Sequence, residues 1–338
     1  DLADYQVKIE INLSKEFSEG KIQQYCQDVR FIYLNSTSGE EQKIPYWIEQ
    51  CNLSASGNAI FWIKVPFLEN NTDTTVYLYY GNPDASSESD GDAVFEFFDD
   101  FETFDSSKWP ASTSGTWSVS NGVMILDSSG TSRDVLRSNY TVTDGIIETR
   151  IKANLDERDC GFYARWDNAD ENYNTYIFGI GAWNYKLTIA KHLSSGSTIL
   201  ASTGSYTENP TGQWIELIAI LNGSSLKLIH EDGTILTATD TSLSNGYLAL
   251  YAYAGDIAQA DAYEWDWILV RKYASPEPSI SSIGEEQVIT KTDSQGNYSY
   301  TFQAPSQPGE HIIKVNLTDP NGIYGENQTT FYVRGNLE

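Results

Sequence analysis

Apolar and polar residues alternate near the start of the chain: Tyr5, Val7, Ile9 and Ile11 fall on one side, Gln6, Lys8 and Glu10 on the other. A period of two marks a strand with one wet face, because successive side chains point to opposite faces. After a polar turn region at residues 14–20, apolar runs follow at 29–34, 44–48, 59–65 and 75–80. Gly81-Asn82-Pro83 ends the last of them, since proline cannot donate to a ladder. Residues 81–91 are polar and rich in Gly, Pro and Ser, which reads as a linker.

The rhythm changes at residues 95–117, FEFFDDFETFDSSKWPASTSGTW, where Phe95, Phe97, Phe98, Phe101, Phe104, Trp109 and Trp117 surround Asp99, Asp100 and Glu102. Rings at that density bring the apolar area of a core edge and predict the first strand of a second domain. Beyond Trp117, turn pairs at Asn121-Gly122, Asp144-Gly145, Asn222-Gly223, Asp232-Gly233 and Asn245-Gly246 punctuate the sequence. They separate short apolar runs at 123–126, 146–153, 161–166, 175–180, 185–191, 214–221, 226–230, 247–253 and 263–270. So many strands, with no amphipathic helix, predict a two-sheet sandwich.

A Pro/Ser/acidic connector follows at 275–287, and the tail reads VITKT, NYSYTFQAP, EHIIKVNLT and TTFYV, with Asn321-Gly322 as a turn. Four strands make one sheet, whose apolar face needs a neighbour. The pattern therefore predicts an all-β chain of tandem β-sandwiches, with modules at 1–92, 93–274 and 275–338.

If Ser38-Gly39 is a hairpin tip, opposed residues have numbers summing to 77, so Val29 faces Ile48 and Cys26 faces Cys51. That register predicts a Cys26–Cys51 disulfide in an oxidising exterior, the alternative being two buried free thiols. Cys160 is left over and reads as a small buried apolar residue.

With 21 basic and 47 acidic residues the net charge is -26, which repels phosphate backbones and anionic membranes and argues against nucleic acid as a partner. No run of about 18 apolar residues occurs, and the chain opens on DLADYQ without a basic-then-apolar leader, so neither a membrane span nor a signal peptide is expected here. The sequon Asn-X-Ser/Thr recurs at Asn12, Asn35, Asn52, Asn70, Asn139, Asn222, Asn297, Asn316 and Asn327, pointing to an exported, N-glycosylated surface protein.

The motifs DYQVKI, DVRFIY, IPYWIE, IFWIKVP, VYLYYGNP and FEFFDDFE, in that order, resemble a family catalogued only as a domain of unknown function, common in archaeal and some bacterial surface proteins. The resemblance implies a small β-sandwich in front of a concanavalin A-like, or laminin G-like, jelly roll. FDDFETFDSSKW, WSVSNGVMIL, GFYARWDNADENYNTYIF and EWDWILVRKY carry the jelly-roll part, and the tail resembles the second half of an immunoglobulin-like module. The family pattern has a further strand ahead of the one at residues 5–11. Either the sequence is cut just after that strand or the strand comes from elsewhere, and an uncovered sheet edge beside residues 5–11 would be a template for another chain.

Chemistry-bearing clusters are few. His192, His230 and His311 lie far apart, and no phosphate loop, nucleophile elbow or CxxC pair is present. Glu264 and Asp266, two apart on a strand, are the best carboxylate pair for a glycosidase. Some glycosidases of this fold carry Glu-X-Asp-X-X-Glu, but position 269 is Leu. Asp99, Asp100, Glu102 and Asp266 are candidate ligands of a structural Ca²⁺, no other cofactor being implied. Trp166 and Trp183 are candidate sugar-stacking platforms.

The function these features favour is a non-enzymatic extracellular structural or adhesive glycoprotein, a subunit of an archaeal cell-surface filament, pilus-like, or sheath. Its partner is itself, a homopolymer joined by donor-strand exchange at the termini. The alternative is a carbohydrate-binding adhesin module that takes surface glycans, with a glycoside hydrolase more remote.

Overall fold

The computed structural model describes residues 1–35, 38–130, 133–154, 159–167, 173–181, 187–204, 211–253, 257–284 and 286, and the backbone alone of 309–318 and 324–333. These residues group into two compact units, Asp1–Ser281 and Ser282–Glu338. No helix among the described residues is long and apolar enough to cross a membrane.

The first unit opens with β1 (Leu2–Asn12), α1 (Ser14–Ser18), β2 (Arg30–Leu34), β3 (Glu41–Ile44), β4 (Tyr46–Cys51), β5 (Asn58–Leu68) and β6 (Val76–Tyr79). Two three-stranded sheets, β1-β5-β4 and β3-β2-β6, enclose Tyr5, Val7, Phe31, Tyr33, Phe61 and Val65. In this sheet order β1 is an edge strand.

The hairpin register expected around Ser38-Gly39 does not form. β2 pairs with β3 through Phe31↔Ile44 and Ile32↔Lys43, and β4 crosses into the other sheet, where Trp47 faces Trp62 of β5. Pro45, without an N–H, stands between β3 and β4, so the ladder stops there and the chain changes sheets. Cys26 and Cys51 are joined by a disulfide with Cα atoms 6.1 Å apart. The bridge fastens the turn ahead of β2 to the end of β4, tying one sheet to the other.

The Gly/Pro/Ser run after β6 is a strap on this sandwich. Gln23 Nε2 donates to the carbonyls of Asn82, Pro83 and Ala85, and Arg30 donates to that of Ser86. Ile48 N donates to Ser89 Oγ. Glu88 pairs with Arg30 and Lys43.

After α2 (Gly91–Val94) come β7 (Phe97–Asp99), β8 (Ala111–Ser112), β9 (Thr116–Ser120), β10 (Val123–Ser129), β11 (Arg133–Val142), β12 (Gly145–Ala153), β13 (Asp159–Trp166) and β14 (Thr175–Ile180). They continue as β15 (Thr188–Leu193), β16 (Gly196–Ser202), β17 (Trp214–Asn222), β18 (Ser225–His230), β19 (Ile235–Thr239), β20 (Gly246–Tyr253) and β21 (Ala258–Arg271). Two antiparallel sheets result. One runs β19-β18-β17-β12-β21-β10-β9, with β7 also on β21; the other runs β16-β15-β14-β13-β20-β11-β8. Their inner faces interdigitate through Met124, Leu136, Ile147, Phe162, Phe178, Leu217, Leu250 and Trp265. The architecture is an all-β, jelly-roll-like sandwich behind a smaller one.

The aromatic segment at 95–117 divides its rings between two packing zones. Phe97, Phe101 and Trp109 enter the large core, whereas Phe95 and Phe98 join Trp47, Trp62, Trp267 and Leu269. This second cluster is the seam between the sandwiches. Trp47 and Trp62 leave the outer face of β4 and β5, and Trp267 leaves the outer face of β21. Polar contacts close the seam: Lys272 N donates to Gln6 Oε1, Lys272 Nζ donates to the Ala3 carbonyl, Gln6 Nε2 donates to the Val94 carbonyl, and Arg271 lies over the Trp62 ring. The outer face of the eight-stranded sheet is therefore committed to the N-terminal sandwich.

In the second unit β22 (Gly309–Thr318) and β23 (Tyr324–Val333) pair antiparallel, from Gly309↔Val333 to Thr318↔Tyr324. The VITKT and NYSYTFQAP runs and the Asn321-Gly322 turn lie outside the described residues.

Candidate functional site

Period-two alternation in the seven-stranded sheet sends Leu136, Phe162, Phe178, Ile189 and Leu250 inward and Val135, Tyr163, Ile177, Ala190, Ala249 and Tyr251 outward. One residue breaks the period. Arg165 has φ 56°, and the β13–β20 register shifts between Tyr163 and Trp166, so Trp166 lands on the outer face beside Tyr163. A β-bulge re-aims side chains in this way.

The bulge is anchored by the arginine it contains. Arg165 is 1% exposed, and its guanidinium donates to the carbonyls of Thr143, Gly223 and Leu243 and to Asp144 Oδ1. Opposite it, Gly246 has φ 152°, and a Cβ there would stand 2.4 Å from the Arg165 carbonyl carbon. Only glycine admits the bulged backbone so close.

The outer face thus gains a layer of rings. Tyr163 stacks on Tyr251 at 4.5 Å between centroids and on Tyr173 at 5.8 Å; Tyr173 stacks on His192 at 3.9 Å. Trp166 meets Tyr163 edge-on at 6.0 Å. Two arginines of β11 lie against the layer, Arg133 with Cζ 4.2 Å from the Tyr173 ring and Arg137 4.7 Å from that of Tyr247. Tyr253 and Ile199 are exposed on this sheet.

Several polar atoms in this layer are buried without a partner: Tyr163 Oη, Tyr173 Oη, Trp166 Nε1 and Arg137 Nε. Tyr163, Trp166 and Tyr173 are 1%, 4% and 5% exposed, so water does not satisfy them in bulk. Burial pushes the Tyr163 and Tyr251 phenols well above their ordinary range and holds them protonated. Burial, followed by the charge of Arg133, lowers the pKa of His192, whose Nδ1 hydrogen-bonds Ser197 Oγ at 2.8 Å. These atoms are closed off from a ligand as well as from water; half-buried Arg133, Arg137, His192 and Tyr247 and exposed Tyr253 form the accessible part of the layer.

Trp166 belongs to this layer, but as a buried ring rather than an open stacking platform, and Trp183 lies outside the described residues. The four carboxylates proposed for Ca²⁺ do not converge. Asp99 accepts Phe101 N at 2.8 Å and Trp109 Nε1 at 2.7 Å, and Asp100 accepts Glu102 N. Asp266 pairs with Arg150 at 2.6 Å. Among the described residues no group of three or more His, Cys, Asp or Glu is placed to hold a metal ion. Glu264 is paired with Lys152 and accepts from Asn154. It and Asp266 lie on the eight-stranded sheet, away from the ring layer.

Of the sequon asparagines, Asn12, Asn70, Asn139 and Asn222 are exposed, Asn35 and Asn52 are half-buried, and Asn297 lies outside the described residues. Asn316 and Asn327 sit in β22 and β23, where only the backbone is described. Cys160 is a buried free thiol, held protonated by burial.

Residues 25–112 match the family described as Domain of unknown function (DUF2341). A protein of Methanocaldococcus jannaschii, "Uncharacterized protein MJ1472", is 27% identical over 97 residues, which is 28% of this chain and 18% of that protein. The chain thus matches less than a fifth of that relative's length. Among solved structures, a carbohydrate-binding module, CBM66 from Bacillus subtilis, aligns at TM-score 0.38 and 17% identity over 49% of this chain and 93% of its own. A lichenase derived from a mouse hindgut metagenome aligns at 0.41 and 12% identity over 52% and 99%. The β-glucanase of Bacillus licheniformis aligns at 0.40 and 15% identity over 52% and 98%.

Proposed function

We propose that this chain is an extracellular, non-enzymatic glycan-binding protein whose binding surface is the ring-lined outer face of the seven-stranded sheet. The observation that carries the proposal is the ring layer outside the sheet, Tyr163, Trp166, Tyr173 and Tyr251, with half-buried Arg133, Arg137, His192 and Tyr247 and exposed Tyr253 at its surface. Accessible ring faces cover sugar C–H groups, and guanidinium and imidazole groups hydrogen-bond sugar hydroxyls. The Cys26–Cys51 bridge and the exposed sequons support an oxidising, exported setting. Glycan-array binding by the full chain, weakened by Tyr247→Ala and Tyr253→Ala without unfolding, is the expected result. Absence of binding to any glycan, or binding indifferent to both substitutions, would sink it.

A second reading, a filament or sheath subunit that shares strands, is favoured by one feature. β1 offers eleven residues of strand bonded on one side only, to β5. An open edge templates another strand. Polymers in a negative-stain field of concentrated protein, abolished by a proline at Ile9, would support it, and a monodisperse monomer would not.

A further inference from the structure

We infer that the ligand of the ring-lined face is an anionic oligosaccharide bearing carboxylates, a uronate polymer, read by Arg133 and Arg137; this rests on the glycan-binding reading above. The chain's net charge of -26 repels a polyanion at long range, so an anionic ligand is held only by short-range contacts, where arginines stand clear of the plentiful carboxylates. Among the described residues Arg30, Arg150, Arg165 and Arg271 each stand within ion-pair distance of a carboxylate. Arg133 and Arg137 do not; each has an aromatic ring as its side-chain neighbour. Both belong to the ring-lined face of the seven-stranded sheet. Two guanidinium groups with no carboxylate of the described residues in ion-pair distance leave a place for one that arrives with the ligand.

The chemistry is specific. A guanidinium lying against a tyrosine ring keeps an N–H edge pointing away from its carbon, and that planar fork matches the two coplanar oxygens of a carboxylate. The arginines are four residues apart on β11, about 13 Å along a strand, so they address anionic groups on different sugar rings. A chain of uronic acids provides such repeats, whereas a single terminal acid does not. Asp159, at the end of β13, accepts weakly from Tyr251 Oη at 3.5 Å and places a carboxylate at one margin of the face, which limits how far an anionic chain extends that way.

The test is a calorimetric titration of the full chain with three probes of matched length: oligogalacturonate, neutral dextran oligosaccharide and sulfated dextran oligosaccharide. Oligogalacturonate is expected to bind, with affinity falling steeply as salt rises and dropping about tenfold or more in each of Arg133→Gln and Arg137→Gln. Arg→Lys at either position should recover part of the loss. Unchanged melting temperatures confirm that the variants are folded. Preference for the neutral probe, indifferent to both substitutions, overturns the uronate assignment while leaving glycan binding standing. Binding of the sulfated probe alone overturns the carboxylate assignment. Failure of all three probes to bind overturns the uronate assignment, and the glycan array then decides whether the glycan reading falls with it.

Discussion

Tyr163 and Tyr251 lie ring on ring, 4.5 Å between centroids and 21° from parallel, on neighbouring strands of the seven-stranded sheet. Tyr251 is paired not with Tyr163 but with Gly161, and Tyr163 with Ala249, so the two rings stack diagonally across the strand pair. A Cβ at Gly161 would stand 2.0 Å from the Phe178 carbonyl oxygen, so the glycine is fixed by the ladder. The stack, worth about 1 kcal/mol beyond its burial, is the centre from which the ring layer spreads to Tyr173, Trp166 and His192.

Tyr163→Phe keeps the stack and deletes a hydroxyl that has no partner. The expected result is a rise in stability of about 1 kcal/mol, read from the urea midpoint at unchanged slope. A destabilised variant would show that the hydroxyl has a structural role.

Arg165→Met leaves the carbonyls of Thr143, Gly223 and Leu243 without their donor and releases the bulge that turns Trp166 outward. A loss of about 3 kcal/mol is expected, with a shift in tryptophan fluorescence as Trp166 moves. Gly246→Ala, which crowds the same bulge, should give the same spectral change.

The Cys26–Cys51 bridge closes a loop between residues 25 apart and spans the two small sheets. Reduction, or Cys26→Ala with Cys51→Ala, should cost about 3 kcal/mol. The loss should be confined to the N-terminal sandwich, as seen by hydrogen exchange, with β11 to β21 keeping their protection.

Asp240 titrates out of line with an ordinary carboxylate. Burial pushes its pKa up, but hydrogen bonds from Lys191, Ser242 and Tyr176 outweigh burial and hold the carboxyl well below the usual range. A group whose folded pKa is depressed stabilises fully above its unfolded value, about 3.9, and that contribution is lost as pH falls through the folded value. Asp240→Asn should therefore cost about 2 kcal/mol at pH 7 and flatten the stability profile below about pH 4. A variant as acid-sensitive as the parent would contradict this.

Much of the fold was legible because it depends on local pattern. Thr175–Ile180 is a strand over the very residues its apolar run marks, and β17, β18 and β20 begin or end within a residue of theirs. What escaped was set by distant contacts. The hairpin from β2 runs only as far as Pro45, because β4 finds a better partner in β5, and the strap at residues 81–91 is held by Gln23 and Arg30, some 50 to 60 residues earlier. β11 went unmarked because Arg133, Arg137, Ser138 and Asn139 make it look like a polar loop. The available signal was Arg133, Val135 and Arg137 in period two between Gly130 and Asp144-Gly145. Trp166, a candidate sugar-stacking platform in the sequence, is a buried ring whose partners Tyr163, Tyr173, Tyr247 and Tyr251 join it only through sheet register and a bulge.

The most direct measurement is hydrogen exchange by mass spectrometry on the full chain, with and without an oligosaccharide that it binds. Slowed exchange confined to Arg133–Val142, Asp159–Trp166 and Gly246–Tyr253 is the expected outcome. Protection falling instead on β12, β17 and β21, or on the N-terminal sandwich, would contradict a ligand on the ring-lined face.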